Sequence, residues 1–506
     1  MAHPPVRRQL HCRRSATAAE TDRSVSHPVS RLVVIVALIF SAVYFFVAIP
    51  RVVYPYDIDF VEDGLLMQAL RVANGQPVFV APNVEFAPHV YMPLYTWLGG
   101  WLLKATGPGF LPLRLLSLSA TLAVALAIYA IAWRESGRRW VAIACAGLWL
   151  GGYRISGGWY ELARVDALFV ALALAGCALA IYGARSRRGL AASGALLGLA
   201  LLTKQNAIAL ILVAGVYLPI VAGRRAWIAL LACAVVAGAP IAMLHWSSGG
   251  WFSTYVFGIA YASPVDLSRL LDVARFELFG AAGALAVGLL ALWVRVAARA
   301  QWRGLARRPW PVFVAAAVGV SVLGRASVGG GSNNWMIGYA GLCLVPALLS
   351  VDLSSKRWGE IAVSALALAQ FALGLYNPIR FIPTEAMRAA GDRLVARLAQ
   401  VEGEVLVMLH PYYAVRAGKQ PSAQVAALWH ARWRGRDPLP PDFAQRIAQR
   451  HYAAIVSDES LFEVDPPLLE LLEANYVRGD ALTDADAPPT LAGMLAQPRV
   501  IYVPRR

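Results

Sequence analysis

Long apolar blocks constrain this chain more than any other feature: eleven stretches of 14 to 22 residues, parted by short basic or polar breaks, run from residue 32 to residue 376. A bilayer interior has no water to satisfy free backbone groups, so a segment crosses it as helix, in roughly 17–25 apolar residues. The blocks at 32–50, 112–133, 140–153, 166–183, 190–203, 205–222, 226–246, 278–296, 310–324, 335–350 and 358–376 therefore predict an all-α polytopic membrane bundle of about eleven spans. Two of them, 140–153 and 190–203, are short enough to be half-depth or re-entrant. Of the 506 residues, 58% are hydrophobic and only 15% charged, against roughly 25% charged in a soluble domain. That excludes a large soluble enzyme and a disordered chain. The net charge of +16 is spread through the loops, which excludes a nucleic-acid binder with one exposed basic face.

The basic residues give the orientation. With the tail 1–31 in the cytoplasm, its side of the membrane holds twenty-one arginines and lysines in short loops, and the other side ten in longer ones. The positive-inside rule then places the first outer loop, 51–111, and everything after about residue 377 outside the cytoplasm of a bacterial inner membrane. Leu32–Pro50 is too long for a signal-peptide core and lacks a small-residue cleavage site, so it reads as a retained first helix. Cys145, Cys177, Cys233 and Cys343 lie in apolar blocks and Cys12 in the tail, leaving no disulfide framework for the polar C-terminal stretch.

The chain thus divides into a cytoplasmic tail (1–31), a transmembrane part (32–376) and a charged segment (377–506). Within the outer loop, Val61–Val72 and Pro93–Lys104 carry helical periodicity and predict helices lying in the interface plane. The last segment alternates helix-like runs (Glu385–Gln400, Pro441–His451) with strand-like runs (Glu404–Leu409, Ala453–Ser457, Arg499–Val503), which predicts a small extracytoplasmic α/β domain. No internal repeat is evident.

Four acids in seven residues open the outer loop: Asp57, Asp59, Glu62 and Asp63. A helix starting near residue 60 turns Glu62 toward its apolar side, where an unpaired carboxylate is costly. Asp59 as N-cap with Glu62 three residues on is one reading of the pair; general-base or metal chemistry is the other, and the two can coexist. Arg164 and Asp166 sit together at the outer mouth of the fourth span, as an interfacial ion pair or as a held anion site. Lys204 stands in the Thr203–Asn206 break with no acid near it in sequence, which suits either a phosphate or a snorkelling helix end. Gly329–Gly331, Asn333 and Asn334, with Arg325 before them, form a turn or a polar loop close to a ligand. His89, His245 and His410 stand singly, without zinc-ligand spacing, and His410-Pro411-Tyr412-Tyr413 offers aromatic faces for a sugar or for packing. No Walker loop, HExxH or dinucleotide motif occurs.

Taken as a set, the acid cluster, "ALRVANGQPVF", "YMPLYTWLGGWLLKATGPGFLPLRLLS", "ARVDALFVALAL", "LLTKQNAIAL" and "GGGSNNW" resemble, in order, blocks of the GT-C membrane glycosyltransferases. The nearest likeness is to bacterial relatives of protein O-mannosyltransferases and aminoarabinose transferases. The resemblance covers residues 32–376. It implies a polyprenyl-phosphate-linked sugar donor, an envelope acceptor (glycan, lipid or protein) and inverting transfer on the outer face. It assigns the catalytic acid to Asp59 or Glu62, with Asp57 keeping the register open. The residues suit such chemistry: Lys204, Arg164 and Arg325 for the donor phosphate; Asn333, Asn334, Tyr91 and Asp166 for substrate. The acid that usually follows the Asn-rich loop is missing here. No cofactor is assigned, and a divalent cation near the acids is compatible with them. The first-loop acids and Lys204 are expected to meet in one outward-facing cavity. The alternative is a transporter or lipid-linked-sugar flippase, in which the same charges would line a pathway.

Overall fold

The computed structural model describes residues 28–260, 262, 264–298, 309–433, 435–458 and 465–506. The basic tail up to residue 27, with Cys12, and the loop arginines Arg299, Arg303, Arg307 and Arg308 lie outside the described residues.

The first helix, α1 (Pro28–Val52), has two unlike faces. Leu32, Ile35, Leu38, Ile39, Phe46 and Ile49 are exposed, while Val33, Ala37, Tyr44, Val47 and Ala48 are buried. An exposed apolar stripe at helical spacing is what a lipid-facing helix presents. Two helices follow where the periodicity predicts them, α2 (Phe60–Ala73) and α3 (Leu94–Thr106), packed on each other. Next come α4 (Phe110–Ser136), α5 (Arg139–Gly151), α6 (Asp166–Tyr182) and α7 (Arg187–Thr203). Helix α5 packs on α1 and α4, and α6 on α4 and α7.

Buried arginine pairs fasten the ends of these helices. Arg51, at the last turn of α1, is fully buried, with Nε 2.5 Å from Glu161 and Nη2 donating to the Gly158 carbonyl at 2.6 Å. Tyr153 donates to the same Glu161 oxygen at 2.7 Å. Trp149 stacks on Tyr160 beneath them, ring centroids 4.3 Å apart.

The run Ala207–Ser247 (α8) contains 41 helical residues, about 60 Å of helix and twice a bilayer. It is interrupted by a 3₁₀ turn at Gly223–Ala226, where Gly223 takes φ +57°. After it come α9 (Leu267–Ala281) and α10 (Gly283–Ala298), bent by 96°, then α11 (Trp310–Ala326), α12 (Ser332–Asp352) and α13 (Gly359–Leu373). Among the described residues, four helices (α1, α4, α8 and α12) are long and apolar enough to cross a membrane, and six if each bent helix pair counts as one. The expected count of about eleven is therefore not reached. The apolar blocks do form helix, but α5, α6 and α11 have only 10–17 residues. Sequence windows register hydropathy, not where a helix stops. The break expected at 203–206 is present: α7 ends at Thr203, Lys204 is extended, and helix resumes at Ala207.

The C-terminal segment opens with α14 (Glu385–Ala399) and builds a four-stranded sheet from β1 (Glu404–Val407), β2 (Tyr452–Ser457), β3 (Tyr476–Ala481) and β4 (Val500–Pro504). The order is β1-β2-β4-β3, with β1 and β2 parallel and the other two pairings antiparallel. Strand β3 escapes the sequence reading because five of its six residues are not buried, so apolar alternation is absent. Tyr412 and Tyr413 are buried, and Tyr413 stacks on Tyr56 at 4.9 Å; they are packing residues, not free faces for a sugar.

Candidate functional site

Asp59 occupies the N-cap position of α2 in extended backbone, φ −136° and ψ 129°, but the reciprocal capping box does not form. Its carboxylate pairs with Arg164, Nη1 to Oδ2 at 2.5 Å. From there an alternating line of charges runs into the bundle. Arg164 Nε lies 3.5 Å from Asp166, and Lys204 Nζ lies 2.6 Å from the other oxygen of Asp166. Asn333 donates to that oxygen at 3.0 Å, and Lys204 donates to Asn334 at 3.1 Å. Arg164 also donates to the Tyr91 hydroxyl at 2.9 Å and lies over the Trp159 ring at 4.8 Å. Asp59, Arg164, Asp166 and Lys204 are all under 8% exposed.

The four come from three places: the outer loop, the turn into α6 and the break after α7. The fold thus brings together Asp59, Arg164, Asp166, Lys204, Asn333, Asn334 and Tyr91. One part of the sequence reading is corrected. Lys204 is not unpaired, because Asp166, 38 residues away, supplies its carboxylate. Two cations and two carboxylates cancel, which is what makes their burial tolerable. The meeting place is this buried line of charges. A cavity of about 890 Å³ opens instead between α2, α3 and the sheet segment, lined among others by Arg71, Lys104, Glu404 and Arg446.

Burial pushes the Asp59 carboxyl up to about 6, against the pull of the Arg164 guanidinium. A carboxyl at that value can take a proton near neutrality. Above it lies a segment that sequence reasoning missed. The Leu491 and Ala492 amides donate to the Ile58 carbonyl at 2.9 and 3.0 Å. Gly493, at φ +72°, follows so closely that a Cβ there would stand 2.8 Å from Asp59 Oδ1 and 3.0 Å from Trp159. Only a residue without a side chain lets the backbone cover the ion pair this tightly.

The remaining candidates fall elsewhere. Glu62 is fully buried, and its two oxygens accept from Arg114 Nε (2.9 Å), Arg114 Nη2 (2.7 Å), Ala163 N (2.6 Å) and Ile58 N (2.8 Å). With both oxygens doubly occupied, it anchors the loop on α4. Arg325 pairs with Glu277 at 2.9 Å and donates to the Gly330 carbonyl at 2.5 Å; no contact joins it to Lys204. Glu277 also accepts from the Trp335 indole, so an acid does reach the Asn-rich loop, from α9 rather than from the expected position.

Asp57 leaves the line altogether and bonds His410 Nδ1 at 2.7 Å. The absence of zinc-ligand spacing did not anticipate this grouping, which joins residues 353 positions apart. His89, by contrast, bonds Gln424 at 2.7 Å, and burial pushes it down to about 3, so it is neutral. His245 bonds only Ser253, at 2.7 Å.

No protein-family model and no curated protein sequence matches the chain. Solved structures do. ArnT from Cupriavidus metallidurans bound to undecaprenyl phosphate superposes with TM-score 0.58 at 13% identity, over 92% of this chain and 97% of that one. The apo state of the same ArnT gives 0.47 at 14% identity over the same shares. Archaeal oligosaccharyltransferase AglB from Archaeoglobus fulgidus, in complex with an inhibitory peptide and a dolichol-phosphate, gives 0.49 at 11% over 88% and 72%. The fold of the chain is that of the ArnT structure.

Proposed function

We propose that the chain is an integral membrane glycosyltransferase that moves a sugar from a polyprenyl-phosphate donor to an acceptor outside the cytoplasm, with inversion at the anomeric carbon. The observation that carries this reading is the buried line Asp59–Arg164–Asp166–Lys204 in a fold whose solved example, ArnT, holds undecaprenyl phosphate. The positive-inside count supports an N-terminus in the cytoplasm of a bacterial inner membrane and a C-terminal segment outside it.

In this reading Asp59 is the general base. It takes the proton of an acceptor hydroxyl as that oxygen forms its bond to the anomeric carbon; the bond from that carbon to the phosphate oxygen breaks, and the phosphate leaves with the electron pair. Arg164 and Lys204 hold the phosphate and gain attraction as its charge grows. A phosphate on Arg164 competes with Asp59 for the guanidinium. Donor binding therefore releases the base from its ion pair, and the enzyme is at rest until the donor arrives. Asn333 and Asn334 keep Asp166 and Lys204 in place. Glu62 holds the loop through Arg114 and takes no proton. The Leu491–Gly493 turn covers the base.

The test is direct. Purified chain in detergent or membranes is incubated with a panel of radiolabelled polyprenyl-phosphate sugars, and sugar transfer or release of polyprenyl phosphate is followed for the wild type and Asp59→Asn. Turnover of one donor by the wild type, lost in the variant, is the expected result. Transport of an intact lipid-linked sugar across vesicles without cleavage would overturn the reading in favour of a flippase.

A further inference from the structure

The proposed reaction leaves unused the most unusual buried cluster in the molecule. His410, in the turn after β1, is 1% exposed; its Nδ1 lies 2.7 Å from Asp57 Oδ2 and its Nε2 3.1 Å from Asp458 Oδ2. Asp63, fully buried on α2, stands beside them and accepts from the Tyr412 amide at 3.0 and 3.2 Å. One ligand atom from each of Asp57, Asp63 and His410 lies within 4.8 Å of the other two. Among the described residues, no arginine or lysine makes an ion pair with Asp57, Asp63 or Asp458.

Two of the buried carboxylates bond one imidazole and the third lies beside it; with all three ionised, even a protonated ring leaves two negative charges uncompensated. Buried charge of that kind is held by a partner or by a metal. The hydroxyl of Tyr54 is also buried without a hydrogen-bond partner, within the field of Asp57.

We propose that Asp57, Asp63 and His410 bind one divalent cation of the zinc class, with Asp458 orienting the imidazole. Two carboxylate oxygens and one imidazole nitrogen, with water in the fourth position, are a donor set that suits zinc. Zinc bonds of about 2.0 Å in tetrahedral geometry set ligand atoms about 3.3 Å apart, so Asp57 draws back from Nδ1 by a fraction of an ångström and the Asp63 carboxylate, within 4.8 Å of the others, closes in by about 1.5 Å at most. Asp458 then accepts the Nε2 proton, the carboxylate–histidine–metal arrangement that fixes the ring and its tautomer. The site joins residues 57 and 63, on either side of Asp59 and Glu62, to the sheet segment. It is a staple that positions the loop, separate from the proton transfer itself.

Full-length protein, purified in detergent without chelator or metal resin, is dialysed against Zn²⁺ and its metal content measured. About one equivalent per chain is expected, lost in His410→Gln and in Asp63→Asn. Asp458→Asn should keep the ligands but weaken Zn²⁺ affinity about 10–100-fold. Co²⁺ bound to the wild type should give the visible bands of a four-coordinate nitrogen–oxygen site, displaced by Zn²⁺. Failure of the wild type to take up Zn²⁺, or uptake unchanged in a folded His410→Gln, overturns the proposal. If that variant does not fold, absence of the Co²⁺ bands in the wild type overturns it alone.

Discussion

Asp57 and Asp59 are two residues apart and end in opposite surroundings. Asp59 heads a line in which every carboxylate touches a cation. Asp57 joins a group in which three carboxylates meet a single imidazole. Both groups are buried, so bulk water relieves neither. The first balances itself with side chains and, in the proposed reaction, gives one of them up to an arriving phosphate. The second holds negative charge that side chains do not cancel and calls for a cation from solution. Burial alone therefore does not tell a reactive acid from a ligating one. The charge of the neighbours does.

The largest effect that separates the two groups is expected from Asp59→Asn. It keeps size but abolishes basicity, so turnover should fall about 10²–10⁴-fold, while donor affinity should not fall and should tighten, because the competitor for Arg164 is gone. Near-normal turnover in a single-turnover assay would move the base to another acid and collapse the distinction drawn here.

Glu62→Gln comes next and is a structural test. Removing one charge of a buried bidentate pair leaves Arg114 unmatched, at a cost of about 3–5 kcal/mol, read as a lower thermal midpoint in detergent. An unchanged midpoint with lost activity would instead make Glu62 the base.

Lys204→Ala should weaken donor binding and lower turnover by about 10–150-fold, the range for a charged hydrogen bond; Lys204→Arg should retain part of both. Equal donor affinity in all three proteins would leave Lys204 as an anchor for Asp166 only.

The smallest effect is graded. The folded Asp59 carboxyl stands near 6, above its ordinary value, and the protonated form cannot accept a proton. The free-enzyme parameter kcat/KM should therefore rise as pH passes upward through about 6 and fall about tenfold per unit below it. A profile without that limb, or the same limb in the residual activity of Asp59→Asn, would assign the titration elsewhere.

Much of the line was legible because a charge in an apolar chain is an exception that needs a reason. Asp59, Arg164, Asp166 and Lys204 each stand out against their neighbours. Their pairing was not legible: Lys204 finds Asp166 across two packed helices, and no sequence spacing encodes that. His410 was harder still, since its partners lie at 57, 63 and 458 and only the docking of the sheet segment on the loop collects them. The number of crossings was not legible for a different reason: apolar windows mark α5, α6 and α11 as helix but do not give their length, which is 10–17 residues. Gly493 was invisible because its function lies in having no side chain.

The buried pair of Arg51 and Glu161 has a consequence for how the chain is made. The two residues are 110 positions apart, and synthesis at about 5–20 residues per second separates their emergence by roughly 5–20 s. Through that interval the arginine at the end of the first helix has no glutamate to meet and stays at the watery edge of the bilayer. Assembly of the bundle core is thus timed by translation. The outer end of α1 locks only when the turn before α6 leaves the ribosome, and a pause in between prolongs the life of an open, half-inserted intermediate.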